Sequence, residues 1–126
     1  MSRNPVGWFE IYVDNLARAQ KFYETVLGVT LTELEAPEGD PIQMLAFPMD
    51  PEAPGAAGAL VKMDGMSAAA AGTMIYFSCE DCAVQAHRIP DAGGQIEKEK
   101  VAIGQYGYMA IGRDTEGNTL GLHSMK

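Results

Sequence analysis

The sequence predicts an α+β protein built from two βαβββ modules, and three observations support this prediction. Two stretches, beginning at Phe9 and Ile75, share one plan of alternating strand, Asp or Asn cap, amphipathic helix and glycine stop. Further apolar segments follow each copy and are separated by turn-forming residues, which is typical of additional strands. The copies lie 66 residues apart, and a repeat this long indicates two supersecondary units that pack together as one domain.

Module 1, about residues 1–63, opens with a strand near residues 7–13. The odd-numbered side chains of this strand are apolar and are expected to lie under the helix. Its even-numbered side chains are Trp8, Glu10 and Tyr12, which combine aromatic rings with a carboxylate. A strand with one apolar and one mixed face, repeated in both modules, predicts two curved sheets closing around a cavity. The other elements expected in this module are a helix near 15–27 and strands near 29–35, 42–48 and 57–63.

The connector between the modules is expected at about residues 64–72, which are rich in Gly, Ser and Ala. Module 2, about residues 73–126, repeats the plan of module 1. Its helix must end near residue 89 because Pro90 cannot continue it. The elements expected in module 2 are strands near 73–79, 95–101, 105–113 and 118–124 and a helix near 81–89.

The cavity side of module 2 is predicted from the same alternation. Met74 and Tyr76 project from its first strand, and Gly121 and His123 from its last. Two tyrosines flanked by glycines, Tyr106 and Tyr108, are expected at the edge of the cavity.

The net charge of the chain disfavours two classes of binding partner. The chain has 126 residues, of which 9 are basic and 17 acidic, so its formal net charge is −8. This charge opposes binding to nucleic acids and to anionic membranes, both of which are recognised by basic patches. Because no signal segment or membrane-spanning run is present in the sequence, a cytoplasmic protein is expected.

The two cysteines, Cys79 and Cys82, form a C-x-x-C sequence with two interpretations. A redox or metal interpretation places them at a helix start, where the pKa of a thiol is lowered. A packing interpretation follows from the repeat, which aligns them with the apolar residues Val13 and Leu16. The two acidic residues between the cysteines oppose formation of a thiolate and favour packing.

The segments 13–23, 26–28 and 114–122 resemble the glyoxalase / bleomycin-resistance / extradiol dioxygenase superfamily, also called vicinal oxygen chelate proteins. The resemblance covers essentially the whole chain. It implies eight strands around a cleft and, in most members, a dimer, so a homodimer is expected here. Two arrangements stay open, because the modules can close the cleft within one chain or exchange across a dimer.

Many members of this superfamily hold one divalent metal through four His or Glu-type side chains. The resemblance places those four positions at Trp8, Val61, Met74 and Gly121. None of these side chains binds a hard divalent cation, and methionine suits only a soft ion such as Cu(I). The resemblance therefore implies a branch without the usual metal, comparable to the bleomycin-resistance proteins, which bind ligands.

Glu10 and His123 are the only side chains of the usual metal-ligand or acid–base types on the predicted cavity face. As catalytic candidates they could transfer a proton on a bound carbonyl compound or belong to a displaced metal site, although two ligands are too few for zinc. The alternative is a solvated carboxylate and a histidine near the chain end. The predicted ligand-binding residues are Trp8, Glu10, Tyr12, Met74, Tyr76, Gly121 and His123. The four aromatic and methionine side chains among them can equally be plain core packing.

Three functional hypotheses follow. The leading one is a protein that binds a small, partly aromatic or apolar molecule in the cleft without a metal. The second is a lyase or isomerase related to lactoylglutathione lyase that uses a non-standard site with Glu10 and His123. The third is a subunit or regulatory module whose cavity has lost its function. Metal dependence and the effect of Glu10→Gln on turnover distinguish the first two, and the third predicts no response to any ligand.

Overall fold

A computed structural model describes residues 3–36, 41–65 and 72–126. The chain divides into two compact units, Trp8–Met74 and the combination of Met1–Gly7 with Ile75–Lys126. We call them the first unit and the second unit. The predicted connector includes residues 66–71, which lie outside the described residues, and the organisation as a single domain stays a prediction.

The first unit contains one helix packed on four strands. Strand β1 pairs in parallel with β4, β4 pairs antiparallel with β3, and β3 pairs antiparallel with β2. The predicted strand near 29–35 is shorter than expected because the backbone N–H of Leu31 donates to the Glu24 carboxylate at 2.8 Å instead of joining a ladder. The elements are β1 Val6–Tyr12, α1 Leu16–Leu27, β2 Thr32–Leu34, β3 Ile42–Ala46 and β4 Ala57–Met63.

Both ends of α1 follow from the sequence. The side chain of Asn15 accepts a hydrogen bond from the backbone N–H of Arg18 at 3.0 Å, which caps the first turn. Gly28 ends the helix in the left-handed conformation, with φ of 67°, where a residue without a Cβ is favoured. The N–H of Gly28 then donates to the carbonyl oxygen of Glu24.

The core of the first unit lies between α1 and the sheet. Leu60 of β4 is completely buried, and Val13 and Leu31 are buried beside it. The Phe47 ring lies 5.6 Å from Phe9 and 5.7 Å from Tyr23 between ring centroids. These contacts confirm that the odd-numbered face of β1 lies under α1.

The second unit repeats the arrangement with a shorter helix. Strand β5 pairs in parallel with β8, and β8, β7 and β6 follow as antiparallel neighbours. The predicted strand near 105–113 begins later, because Gly104–Tyr106 forms a 3-10 turn and Gly107 has φ of 100°. The elements are β5 Thr73–Ser78, whose first two residues belong to the first unit, α2 Cys82–Arg88, β6 Gln95–Ala102, β7 Tyr108–Arg113 and β8 Thr119–Ser124.

The core of the second unit lies under α2 and includes both cysteines. Cys82 is completely buried together with Ala86, Ala110 and Leu122, and the half-buried Cys79 packs against them. Burial raises the pKa of the Cys79 thiol, and the neighbouring Cys82 raises it further. These contacts support the packing interpretation of the C-x-x-C sequence.

Candidate functional site

Three side chains on one face of β1 form a hydrogen-bonded row. The indole N–H of Trp8 donates to one carboxylate oxygen of Glu10 at 3.1 Å, and the Tyr12 hydroxyl donates to the other at 2.7 Å. The row forms because residues two apart on a strand project from the same face. Tyr12 is buried and its hydroxyl lies 4.0 Å from the Met74 sulfur. We call Trp8, Glu10, Tyr12 and Met74 the Glu10 cluster.

Small side chains surround the carboxylate on the neighbouring strands. The register places Ala59 of β4 beside Glu10, and Ala46 of β3 beside Ala59. Both alanines are buried. Glu10 and Trp8 are themselves only half-buried, so the carboxylate keeps access to solvent above an apolar floor.

The corresponding face of the second unit carries different chemistry. Tyr76 of β5 lies beside Gly121 of β8, where an added Cβ would come within 2.3 to 2.8 Å of three ring carbons. The ring therefore rests on the glycine backbone. The Tyr76 hydroxyl lies 3.9 Å from the sulfur of Met109.

The second unit also places His123 on this face. Its Nε2 makes a hydrogen bond with the backbone carbonyl oxygen of Tyr106. A carbonyl oxygen can only accept, so Nε2 carries the hydrogen of this bond. The 3-10 turn, which sequence reasoning missed, thus fixes the orientation of a predicted site residue.

The expectation for Tyr108 is wrong. Its side chain lies on the α2 side of the sheet, where it packs against the core of the second unit. The Nζ atom of Lys100 lies 4.7 Å from the centre of its ring. Because β7 begins at Tyr108 and alternates from there, Met109 takes the place on the other face beside His123.

The predicted residues fall into two groups. Trp8, Glu10, Tyr12 and Met74 come together in the first unit, whereas Tyr76, Gly121 and His123 belong to the second unit. Glu10 and His123 are therefore in different units, and their joint action stays a prediction. The neighbours that sequence reasoning missed are Met44, Ala46, Ala59, Met109 and the Tyr106 carbonyl.

The family's usual metal positions do not offer suitable ligands. Ala59 takes the place beside Glu10 that Gly121 takes beside Tyr76, so the register makes Ala59, not Val61, the equivalent of Gly121. Ala59, Val61 and Gly121 have no side-chain atom that can bind a metal, and the indole N–H of Trp8 is directed at Glu10. The Met74 sulfur suits only a soft ion. Across residues 3–36, 41–65 and 72–126, no three His, Cys, Asp or Glu side chains form a metal-binding group. These positions do not fit a hard divalent cation, and metal independence stays a prediction.

A surface groove of about 600 Å³ lies elsewhere, between α2 and β6 of the second unit. It shares no residue with the predicted site, and its lining includes Ala83, Ala86, His87, Pro90, Ile96 and Lys100.

Comparison with known proteins identifies the family and the fold. The family profile of the Glyoxalase/Bleomycin resistance protein/Dioxygenase superfamily matches residues 6–122. No curated protein sequence resembles the chain closely enough to count as a match. Within the described residues, no helix is long and apolar enough to cross a membrane.

Three solved structures illustrate the similarity. A Streptomyces coelicolor methylmalonyl-CoA epimerase, solved with 2-nitronate-propionyl-CoA, is 18% identical over 98% of this chain and 95% of its own, with a TM-score of 0.69. The Mycobacterium tuberculosis methylmalonyl-CoA epimerase is 17% identical over 97% and 88%, with a TM-score of 0.71. A hypothetical protein from Bacillus halodurans is 14% identical over 99% and 96%, with a TM-score of 0.75. At these identities the likeness shows the fold, and it confirms the predicted α+β class.

Proposed function

The chain belongs to the Glyoxalase/Bleomycin resistance protein/Dioxygenase superfamily, and we propose that it binds a small, partly aromatic or apolar molecule without the family's usual metal. The observation that carries this proposal is the Glu10 cluster, an oriented carboxylate between two aromatic side chains above a floor of alanines. Ligand sites typically combine an apolar lining with a few fixed polar groups.

The side chains of the cluster suit an aromatic ligand. The indole ring of Trp8 offers a stacking surface, and aromatic pairs favour offset or edge-to-face contact. Met74 adds a flexible, polarizable thioether that adapts to irregular shapes. Met44 of β3 shares this face because the register pairs it with Val61, the neighbour of Tyr12.

The binding proposal is tested by thermal unfolding with a panel of small aromatic compounds. A ligand at 100 times its Kd raises the free energy of unfolding by about 2.7 kcal/mol, or about 10 °C in Tm for a chain of this size. Trp8→Ala is expected to remove the shift. Phe22→Ala, which truncates an exposed aromatic side chain on α1, is the matched control and is expected to keep it. If no compound of the panel shifts the Tm, the third hypothesis is favoured, in which the cavity has lost its function.

Metal independence is tested on protein treated with EDTA. We expect no rise in Tm when Ni²⁺, Zn²⁺, Mn²⁺ or Fe²⁺ is added, because the four usual positions carry no hard ligands. A rise of about 10 °C with one metal, lost in Glu10→Gln or His123→Ala, would contradict this part of the proposal and favour an enzyme.

A second candidate function is a lyase or isomerase related to lactoylglutathione lyase that uses Glu10 and His123. The observation that favours it is the hydrogen bond from His123 Nε2 to the Tyr106 carbonyl, because in a neutral ring held this way Nδ1 is the nitrogen that accepts a proton. Such a base removes a proton from the carbon next to a carbonyl group and returns it to the same or a neighbouring atom. The similar epimerases bind CoA esters, although the net charge of −8 disfavours polyanionic ligands here.

The enzyme candidate is tested by NMR in two steps. The 15N shifts of His123 are expected to show the Nε2–H form, and the Nδ1–H form would remove the candidate's structural support. Exchange of the α-hydrogen of carbonyl substrates, including methylmalonyl-CoA, is then followed in D₂O. Exchange by the wild-type protein that disappears in His123→Ala and in Glu10→Gln would establish an enzyme. If the wild-type protein gives no exchange, the proposal of a binding protein without catalysis remains.

The proposal extends to assembly and location. The family resemblance supports a homodimer, and α1 exposes the apolar side chains of Phe22, Val26 and Leu27 to solvent. We also propose a cytoplasmic location, with no nucleic acid or membrane as partner. Light scattering coupled to gel filtration measures the mass, and a monomer at micromolar concentration would contradict the dimer.

A further inference from the structure

The indole ring of Trp8 has a single polar atom, and this atom is engaged within the protein. Its N–H donates to Oε2 of Glu10 at 3.1 Å, and an indole nitrogen can only donate. A ligand beside Trp8 therefore meets the ring through its carbon surface rather than through a hydrogen bond. The quadrupole of such a surface favours offset-stacked or edge-to-face contact with another aromatic ring.

The acceptor of this hydrogen bond is anchored in turn by a buried residue. The Tyr12 hydroxyl donates to Oε1 of Glu10 at 2.7 Å, and Tyr12 is only 6% exposed. Trp8, at the other end of the row, is half-buried. The buried tyrosine thus holds the carboxylate, and the carboxylate holds the more exposed indole ring.

The neighbouring strand leaves room for a flat ligand beside the indole. The register places Ala57 of β4 next to Trp8 and Ala59 next to Glu10. Because these side chains are single methyl groups, β4 contributes little packing against the indole. The hydrogen bond to Glu10 is then the directional restraint that β1 places on the ring.

We propose that Glu10 is a positioning residue, which holds the Trp8 indole as a fixed stacking surface and makes the site selective for planar aromatic ligands over puckered apolar ones. This inference rests on the proposed function and deepens it for the same face. Glu10 acts through Trp8, and the ligand contacts the ring. A ring that is already oriented loses less freedom on binding than a mobile one, which strengthens stacking.

The test compares two probes with the same carbon skeleton, benzyl alcohol and cyclohexylmethanol, of which only the first has a planar ring. The measured quantity is the ratio of their affinities, obtained by titration. The chain contains a single tryptophan, so the indole N–H resonance reports both binding and the state of the Trp8 ring. In the wild-type protein this N–H is expected to exchange with solvent at least about tenfold more slowly than in the unfolded chain.

Two substitutions at position 10 separate the hydrogen bond from the charge. Glu10→Leu removes the acceptor and is expected to shift the affinity ratio by at least about fivefold toward cyclohexylmethanol and to accelerate indole exchange. Glu10→Gln keeps an acceptor oxygen for the indole, and its amide can donate to the Tyr12 hydroxyl, so the ratio should stay within about twofold of wild type. Glu33→Leu, at an exposed position on β2, is the matched control for loss of a carboxylate and should leave the ratio unchanged.

A role in stability alone would lower the Tm of Glu10→Leu without changing the affinity ratio. Tyr12→Phe provides a second route if Glu10→Leu does not fold. It removes the hydroxyl that holds Oε1 of Glu10 and keeps the buried ring. We expect it to accelerate indole exchange and to shift the ratio in the same direction by a smaller factor.

An unchanged ratio in Glu10→Leu, or a ratio that Glu10→Gln does not restore, would overturn the inference. An unprotected indole N–H in the wild-type protein would overturn it as well. The proposed function would stand in each case provided that benzyl alcohol shifts the Trp8 resonance. No response to either probe would also overturn the inference, and the proposed function would then fall only if the wider aromatic panel gave no shift in Tm.

Discussion

In the first unit, the strand β1 presents Glu10 between two hydrogen-bond donors, whereas the matching strand β5 of the second unit presents Tyr76 over a glycine. The two strands occupy equivalent places in the repeat and have the same pairing, each parallel to the last strand of its own unit. The difference lies in the side chains alone. The duplicated backbone therefore presents a carboxylate in one unit and a tyrosine ring at the equivalent position of the other.

The helices of the two units differ in length, in burial and in the residue that caps them. Helix α1 has 12 residues and none of them is buried, whereas the 7-residue α2 buries Cys82 and Ala86. Helix α1 begins with a neutral cap, Asn15, whereas α2 begins with the carboxylate of Asp81. The cap of α2 is therefore a carboxylate, whereas the cap of α1 is a neutral amide.

The largest expected effect tests whether the two cores are equivalent. Leu60→Ala in the first unit and Leu122→Ala in the second remove buried side chains, and each is expected to lower the free energy of unfolding by about 2–5 kcal/mol. Chemical denaturation provides the measurement. The control is Val84→Ala on α2, whose side chain is exposed, with an expected change within about 0.5 kcal/mol. If only one of the two core variants loses stability, the two cores do not contribute equally to the free energy of unfolding.

The next effect concerns the position where the two sheet faces differ most. Gly121→Ala forces a Cβ against the Tyr76 ring and is expected to cost about 1–3 kcal/mol. The equivalent position in the first unit already holds alanine, Ala59, beside Glu10. In a Tyr76→Leu background the cost of Gly121→Ala should fall or change sign, since alanine is better than glycine within a strand. An unchanged cost in that background would contradict the close contact.

Substitution of the helix caps is expected to have a smaller effect on the free energy of unfolding. This effect should depend on pH in the second unit but not in the first. Asn15→Ala should cost about 1 kcal/mol, and its cost should not vary with pH between 7 and 2. The hydrogen bond from Lys100 at 2.8 Å and, to a smaller extent, the hydrogen bond from the Ala83 backbone lower the pKa of Asp81 below its ordinary value. A lowered pKa in the folded state stabilises the protein above the pKa of the unfolded state, and the gain disappears as pH falls through the folded value.

The cost of Asp81→Asn should therefore be present at pH 7 and decrease below about pH 4. Urea denaturation of both cap variants across this range provides the measurement. A cost of Asp81→Asn that does not depend on pH would show that the pairing with Lys100 contributes nothing.

The sequence was sufficient for the fold and for part of the site. Alternation around Phe9 and Ile75 predicted both opening strands, and the Asn15 cap and Gly28 stop predicted α1, because these signals are local. The position of Tyr108 was predicted wrongly, since the 3-10 turn before it sets the phase of β7. The neighbours of Glu10 on β3 and β4 depend on strand register, which joins residues far apart in the sequence and leaves no local signal.

The most direct test of ligand binding at the Glu10 cluster uses the methionine side chains as internal probes. With 13C-labelled methyl groups, a small aromatic ligand is expected to shift the signals of Met44 and Met74 together with the Trp8 indole. The exposed Met49 and Met125 are expected to stay unchanged. Shifts confined to Met49, Met125 or residues of the groove beside α2 would contradict the account and place the binding site elsewhere.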